Sequence, residues 1–420
     1  MDAERSHRSC MPLTSASVDP LSWSDLASRA AEEPDRVQGP TNAQAVLRLF
    51  GQPESSVEVT LYRDHHAWCP YCQKIWLWLE FKRIPYRIRK VTMRCYGPKE
   101  AWFLEKVPSG MLPVLELDGQ LITESDQILQ VLEARFGPLG QGMTEPDSIE
   151  LRQLERLLFR AWCIWLCSPG LGPRQQRQAR DQFQRIARTF ENELSRTEGP
   201  WLRESGPQTV DLIFVPYVER MNASLAYYKG FRLRREHPAI DRWFKALEQL
   251  ETYRGTQSDM HTHAHDLPPQ MGGCWPDDVA EVHELASRID GGEGLANDEA
   301  CWDDVDAHQQ AALALARVLR HQERLRQINP LGSEGFDLPL RCALTTLVTG
   351  AACPPPPGSA AGLRYLRDRI SVPRDMPLPA ARQLRQALEA TAALDGTAQG
   401  RSIPQRDRFD QDPRPFLLQP

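Results

Sequence analysis

Two cysteines three positions apart are the most chemically informative feature of this sequence. They stand in Cys69-Pro70-Tyr71-Cys72, shortly after the alternating run at 57–62. A strand that leads into Cys-x-x-Cys at the start of a helix is typical of a redox site. The unpaired N–H groups and partial positive charge of a helix N-terminus stabilise a thiolate, so Cys69 is the candidate nucleophile. Cys72 lies one turn further on, close enough to attack a mixed disulfide formed on Cys69.

The composition limits the classes of protein that fit. A chain of 420 residues predicts two or three domains, and 41% hydrophobic with 25% charged residues indicates a globular protein with a real core. The net charge of −6 argues against a nucleic-acid binder with a basic surface. The sequence lacks an apolar run of the roughly 20 residues that a membrane-spanning helix needs. Acidic residues near the start argue against a secretory signal. We expect a cytoplasmic protein without membrane partners, and leave a plastid location open.

Metal binding is not predicted from the sequence. The ten cysteines include one Cys-x-x-Cys pair, so a four-cysteine zinc site is excluded and a reducing compartment is indicated. The run His261-Thr-His263-Ala-His265 is polar and fits no familiar ligand spacing, so we expect a solvated loop there. Cys163 and Cys167 are four residues apart on a predicted helix, and we expect them to share a packed face.

The order of predicted elements indicates an α/β domain followed by helices. Strands, helices and an Asp118-Gly119 hairpin turn alternate as β-α-β-α-β-β-α, and helical spacing then dominates from 148 onward. We predict these segments: a partly helical N-terminal extension, 1–55; a thioredoxin-like domain with a mixed sheet, 56–138; an all-α domain, 145–255; a linker, 256–278; a further helical extension, 279–395; and a disordered tail, 396–420.

The segment 57–252 resembles the cytosolic glutathione transferase family. The motifs that carry the resemblance are the Cys-Pro-Tyr-Cys run at 69–72, Met-Leu-Pro-Val-Leu at 111–115, the hairpin turn, and Thr-Glu-Ser-Asp-Gln-Ile at 123–128. The resemblance implies glutathione as co-substrate, a thioredoxin-like domain that binds it, and an all-α transferase domain. In that family, Pro70 and Tyr71 would belong to the glutathione-binding motif. A homodimer is also implied.

The resemblance assigns glutathione-binding roles to further positions. Pro113 would be a cis proline that lets the backbone of Leu112 pair with the cysteine of glutathione. Glu124 and Ser125 would receive the γ-glutamyl end, since a carboxylate pairs with an ammonium and a helix N-terminus attracts a carboxylate. Lys106 would lie near the glycyl carboxylate. The alternative for Glu124 and Ser125 is an ordinary helix cap.

The position of Cys69 resembles that of the cysteine-type classes, which mostly reduce or transfer thiols. The long C-terminal extension resembles iota-like and omega-like members, whereas Cys72 makes the motif similar to that of glutaredoxins. Cys72 is either a resolving thiol or a small buried residue. The leading hypothesis is a glutathione-dependent thiol transferase acting on small or protein disulfides and glutathionylated substrates.

Two alternatives stay open at this point. One is a transferase that conjugates glutathione to electrophiles. The other is a non-catalytic protein that binds a hydrophobic ligand on the same scaffold. In the leading hypothesis the helical domain would determine substrate specificity, and Phe159, Trp162 and Trp165 are candidate wall residues, or equally part of the core.

Overall fold

A five-stranded mixed sheet carries the cysteine motif, and helices from the rest of the chain cover it. The computed structural model describes residues 14–203, 206–291, 302, 305–395, 408 and 411. The strands are β1 (Thr14–Ser17), β2 (Leu47–Arg48), β3 (Val59–Asp64), β4 (Tyr86–Val91), β5 (Val114–Leu117), β6 (Gln120–Ile122) and β7 (Ala351–Ala352). The sheet has the order β2-β4-β3-β5-β6, in which β3 and β4 are parallel and the other pairs antiparallel. β1 pairs with β7 separately.

Sixteen helices lie in the described ranges. They are α1 (Trp23–Ala27), α2 (Pro70–Lys82), α3 (Ala101–Lys106), α4 (Ser125–Phe136), α5 (Pro146–Cys167), α6 (Pro173–Leu194), α7 (Thr209–Lys229), α8 (Leu233–Glu236), α9 (Pro238–Leu247), α10 (Glu251–Arg254), α11 (Met260–Met271), α12 (Ala280–Asp290), α13 (Ala307–Ile328), α14 (Gly332–Thr349), α15 (Ala360–Arg367) and α16 (Leu378–Ala393). Thus the predicted fold class, a β-α-β-α-β-β-α domain followed by helices, is confirmed, with β2 as an added edge strand. In the described part, every helix is too short or too polar to cross a bilayer.

Helix α2 is the centre of the first domain because apolar side chains cover most of its circumference. Trp76, Leu77 and Trp78 are all at most 2% exposed. A buried ion pair fixes the far end of the helix: Arg48 Nε on β2 donates to Glu80 Oε1 at 2.9 Å. The Tyr86 hydroxyl donates to the same oxygen at 2.7 Å. The N-terminal segment is therefore built into the sheet domain through a strand, although the sequence predicts only a partly helical extension at 1–55.

Helix α7 is the centre of the all-α domain, and all 21 of its residues are buried. It packs against α2, α5, α11 and α12, so it contacts both the cysteine-bearing helix and the extension. Its N-cap is Gln208, whose N–H donates to Asp211 Oδ2 at 3.0 Å. Asp211 Oδ1 also accepts from the Trp243 indole at 3.0 Å. Burial raises the pKa of Asp211 to about 6 against these hydrogen bonds.

The structure differs from the sequence prediction at 256–278. The predicted polar linker contains helix α11, which is buried from Met260 to Pro268. His261, His263 and His265 are at most 3% exposed, so the expectation of a solvated loop is wrong. The polar side chains are tolerated in the core because they find distant partners; Arg385 Nη1, for example, donates to Asp259 Oδ2 at 2.7 Å.

The C-terminal region also departs from the prediction. Helix α14, which contains Pro339, was not predicted from the sequence. Arg408 belongs to the predicted disordered tail but is 5% exposed, and its guanidinium donates to Asp266 Oδ1 at 2.9 Å. Gln411 is buried as well, and its carbonyl lies 3.1 Å from His66 Nε2. The rest of 396–420 lies outside the described residues.

Mild acid should lower the free energy of unfolding because of His66. This residue is fully buried, and its ring is stacked on that of Tyr96 with centroids 3.5 Å apart. Burial, followed by nearby cations, holds the pKa of His66 well below 6.5, so the unfolded state binds a proton that the folded state does not. The resulting loss of stability begins as pH falls through about 6.5. We expect His66→Phe to reduce the loss between pH 7.5 and 5.5 by about 1.4 kcal/mol, measured by urea unfolding. The exposed His283→Gln is the control, and equal losses in both variants would contradict the assignment.

Candidate functional site

Cys69 and Cys72 are placed at the start of helix α2 as the sequence predicts. Cys69 is the N-cap and Pro70 occupies the first turn, where its missing N–H costs nothing. Cys69 is 6% exposed and Cys72 is 1% exposed, and both are free thiols. Both thiols are buried, and Cys69 is the less completely buried of the two.

Asp64 fixes the turn between β3 and the motif. One carboxylate oxygen, Oδ2, accepts from the Trp68 N–H at 2.7 Å and from the Cys69 N–H at 3.2 Å. The other oxygen is buried without a hydrogen-bond partner among the described residues. Carboxylate and sulfur atoms of Asp64, Cys69 and Cys72 all lie within 4.8 Å of one another. Asp64 was not predicted as a site residue from the sequence, although a carboxylate five residues before the nucleophile is a visible signal.

The surroundings of the two thiols make them unequal. Burial raises the pKa of Cys72 well above its usual value, and a hydrogen bond with Cys69 and the charges of Cys69 and Asp64 add to the effect. Cys72 is therefore a protonated thiol at neutral pH while Cys69 is reduced.

Arg220 brings a buried positive charge from helix α7 to the motif. Its side chain is 1% exposed, and its guanidinium carbon lies 4.7 Å from the centre of the Trp68 ring. One guanidinium nitrogen donates to the Trp68 carbonyl oxygen, and another donates to Gln73 Oε1 at 2.9 Å. Burial lowers the pKa of Arg220, and the negative charges of Glu219 and Cys69 oppose that change. A guanidinium stays protonated in such surroundings, so a buried positive charge adjoins Trp68, the residue before Cys69.

Glu219 continues this network toward helix α11. Its carboxylate accepts from the amide of Gln73 at 3.1 Å and from the Ser258 N–H at 2.7 Å. It also lies 2.8 Å from His263 Nε2. Hydrogen bonds thus join α2, the helix that bears the cysteines, to α7 and to the segment 256–278, which the sequence predicts to be a linker.

The structure brings the expected glutathione-binding residues to one end of the sheet. The Leu112–Pro113 peptide bond is cis, as the resemblance implies. Ser125 begins α4, and Glu124 precedes it with φ +64°. The side chain of Glu124 forms no capping hydrogen bond, so the helix-cap alternative has no support there. An acidic residue held at positive φ is strained, and such strain concentrates at ligand-binding sites.

Lys106 is engaged differently from the role that the resemblance implies. Its ammonium donates to Glu116 Oε2 at 2.9 Å, and this bond, with one to Tyr62, raises the pKa of Lys106. Burial lowers the pKa of Lys99, and the negative charges of Glu100 and Asp64 oppose that shift. Lys99 was not predicted as a site residue, because only its distance from the cysteine motif in the folded chain identifies it, and the sequence does not show that distance.

An aromatic surface adjoins the motif on the side of the all-α domain. The Tyr71 ring meets the Tyr217 ring edge-on at 5.7 Å, and Tyr217 meets Phe159 at 5.2 Å. Of the three predicted wall residues, Phe159 belongs to this surface. Trp162 and Trp165 are at most 2% exposed and form part of the core.

The first domain is similar in sequence to known proteins. Residues 68–135 match the family described as glutathione S-transferase, N-terminal domain. Glutathione S-transferase DHAR2 of Arabidopsis thaliana is 27% identical over 45% of this chain and 84% of its own length. The probable cytosolic glutathione S-transferase DHAR1 of Oryza sativa subsp. japonica is 25% identical over 45% of this chain and 84% of its own length.

Some solved structures are also similar to this chain. The dehydroascorbate reductase of Chlamydomonas reinhardtii is 20% identical, covers 48% of this chain and 93% of its own, and superimposes with a TM-score of 0.41. The family match covers residues 68–135, so the similarity of this chain to glutathione S-transferases is carried by its first domain.

Proposed function

We propose that the chain is a glutathione-dependent thiol transferase in which Cys69 is the nucleophile. The observation that carries the proposal is the placement of Cys69 at the N-terminus of α2 beside the buried guanidinium of Arg220. Helix dipole and cation both stabilise a thiolate. The relatives' names, glutathione S-transferase and DHAR, support the same class of reaction.

The chemistry needs only thiols and disulfides. The Cys69 thiolate attacks the glutathione sulfur of a glutathionylated substrate, and the substrate leaves as a thiolate that takes up a proton. The resulting mixed disulfide holds glutathione against Leu112, Glu124 and Ser125. A second glutathione thiolate then attacks the bound glutathione sulfur, which releases oxidised glutathione and restores the Cys69 thiolate.

The surroundings of Cys72 support this route over a dithiol route. Cys72 is buried, and its raised pKa leaves little thiolate to attack the mixed disulfide. In the mixed disulfide Cys69 no longer carries a charge, so one cause of the raised pKa of Cys72 is lost. Burial and the charge of Asp64 still raise that pKa. We therefore propose that glutathione, rather than Cys72, resolves the intermediate.

Cysteine variants test the proposal. We expect Cys69→Ser to abolish reduction of hydroxyethyl disulfide by glutathione, and Cys72→Ser to keep at least about half of the activity because glutathione resolves the intermediate. Cys163→Ser is the control, since burial raises the pKa of Cys163 to about 12 and makes its thiol unreactive. Mass spectrometry after incubation with oxidised glutathione should show the adduct on Cys69. Full activity of Cys69→Ser would refute the mechanism.

The role of Arg220 is tested by the reactivity of Cys69. We expect Arg220→Met to slow alkylation of Cys69 by iodoacetamide at pH 7 roughly tenfold, because a thiolate loses about 1.4 kcal/mol of stabilisation. Arg220→Lys should restore part of the rate, since it returns the charge. Arg160→Met on the exposed side of α5 is the control. Peptide-resolved mass spectrometry gives the rate, and circular dichroism checks that the variants fold. An unchanged rate in a folded Arg220→Met protein would remove the cation from the mechanism.

One observation favours binding of a ligand as a second function of the chain. A cavity of about 380 Å³ lies between the sheet domain and the extension, and neither Cys69 nor Cys72 lines it. Its wall includes apolar side chains such as Val318, Leu325 and Ile328. Six cationic side chains also line it: Arg36, Lys90, Arg317, Arg320, Arg369 and Arg374. Asp375 is the only carboxylate among the described lining residues.

The electrostatics of this cavity favour an anion with an apolar body. Burial, followed by the charges of Arg63, Arg317 and Arg36, lowers the pKa of Lys90 well below its usual value. Burial and Arg317 lower the pKa of His321 to about 4. Crowded cations raise one another's energy, and a carboxylate or sulfonate ligand would relieve that repulsion. The size suits a small amphipathic molecule.

Decanoate and its neutral analogue decanol test this second function by isothermal titration. We expect decanoate to bind and decanol to bind at least tenfold more weakly, a difference of about 1.4 kcal/mol. Arg317→Gln should weaken decanoate binding, whereas the exposed Arg177→Gln should not. S-methylglutathione should not displace decanoate, because the cavity is separate from the cysteine site. Equal affinities for the acid and the alcohol would contradict the proposed anion preference.

A further inference from the structure

A second polar cluster is buried far along the chain from Cys69. His261 and His265 lie one turn apart on α11, with ring centroids 4.5 Å from each other. Asp290, the last residue of α12, lies with Oδ1 2.6 Å from His265 Nε2. One ligand atom from each of the three side chains falls within 4.8 Å of the other two. The three side chains therefore surround one small volume.

His261 is the unexplained member of this cluster. It is 3% exposed, and both of its ring nitrogens are buried without a hydrogen-bond partner among the described residues. Asp368 Oδ1 lies 3.8 Å from His261 Nε2, which is too far for a hydrogen bond. A buried polar group without a partner destabilises the fold and usually indicates a missing water or ion. Here the neighbouring groups are a second imidazole and a carboxylate.

The donor groups of the cluster suit a metal ion. Metal ligands bind through lone pairs in their deprotonated forms, and imidazole and carboxylate groups can supply such lone pairs. The two imidazoles and the carboxylate are buried together, with one ligand atom from each within 4.8 Å of the other two.

We propose that His261, His265 and Asp290 bind one divalent transition-metal ion of the zinc type. Imidazole nitrogen favours zinc and its neighbours in the transition series over magnesium or calcium, which take oxygen ligands. The Tyr227 hydroxyl donates to Asp290 Oδ2 at 2.9 Å and so fixes the orientation of the carboxylate. Such outer hydrogen bonds orient metal ligands.

The proposed site is structural, because its ligands are enclosed by protein. It would join α11 to the end of α12 and hold the segment that the sequence predicts to be a linker. Two residues after His261, His263 contacts Glu219, which in turn accepts a hydrogen bond from Gln73 on the cysteine-bearing helix. The ion would thus stiffen a support of the first domain without touching a substrate.

The test measures metal content of the full chain made in zinc-supplemented medium. After gel filtration we expect about one zinc per chain by elemental mass spectrometry, and a lower melting temperature after a chelator is added. His261→Gln and Asp290→Asn should each reduce the zinc content to below about a tenth, since a three-ligand site loses one ligand. His283→Gln, an exposed histidine on the same helix as Asp290, should keep the full content.

Asp64, Cys69 and Cys72 form a second group that could hold a metal, so the experiment must separate the two. The double variant Cys69→Ser/Cys72→Ser should retain zinc, and its cobalt-loaded form should show ligand-field absorption without thiolate charge-transfer bands. Asp290→Asn preserves the shape of the side chain, so the zinc content of this variant decides the test if His261→Gln fails to fold. The proposal is overturned if the wild-type chain carries no stoichiometric zinc, if folded Asp290→Asn keeps it, or if the cysteine variant loses it.

Discussion

The buried guanidinium of Arg220 is the interaction on which the rest of the site depends. It lies on α7, yet it is bonded to the Trp68 carbonyl and to Gln73 on either side of the cysteine motif. A buried cation must be compensated, and its neighbours Glu219 and Asp64 supply the negative charge. The position of Cys69 is therefore fixed from two domains at once. This explains why the all-α domain cannot shift against the sheet without changing the surroundings of the nucleophile.

The first domain could be predicted from the sequence because its signals are local. Alternation at 57–62, the Pro70 start of α2 and the Asp118-Gly119 turn each report on neighbouring residues, and the strands and helices follow them closely. Pro113 could be identified by resemblance alone. Edge strand β2 was not predicted because two residues are too few to show an alternating hydrophobic pattern. Helix α14 was not predicted because Gly332, Gly335 and Pro339 are residue types that usually interrupt helices.

The prediction failed most clearly at 256–278, where composition is misleading. Charged and imidazole side chains there indicate solvent, but several of them are paired with residues far away in the sequence. Asp259 meets Arg385, Asp266 meets Arg408 and His263 meets Glu219, over separations of 126, 142 and 44 residues. Pairing of this kind makes burial of polar groups tolerable and leaves no local signal. The same limitation hid Arg220 and Lys99 from the candidate site.

These long-range pairs also determine what the extension does for the first domain. Asp259 and Asp266 are fully enclosed carboxylates whose cations come from α16 and from the region after it. Without those cations, α11 would hold two uncompensated charges and could not stay packed on α7. His263 would then lose its position against Glu219, and Gln73 would lose one of its acceptors. The extension is thus part of the support of the cysteine site, because the charges that bury α11 are supplied by residues more than a hundred positions later.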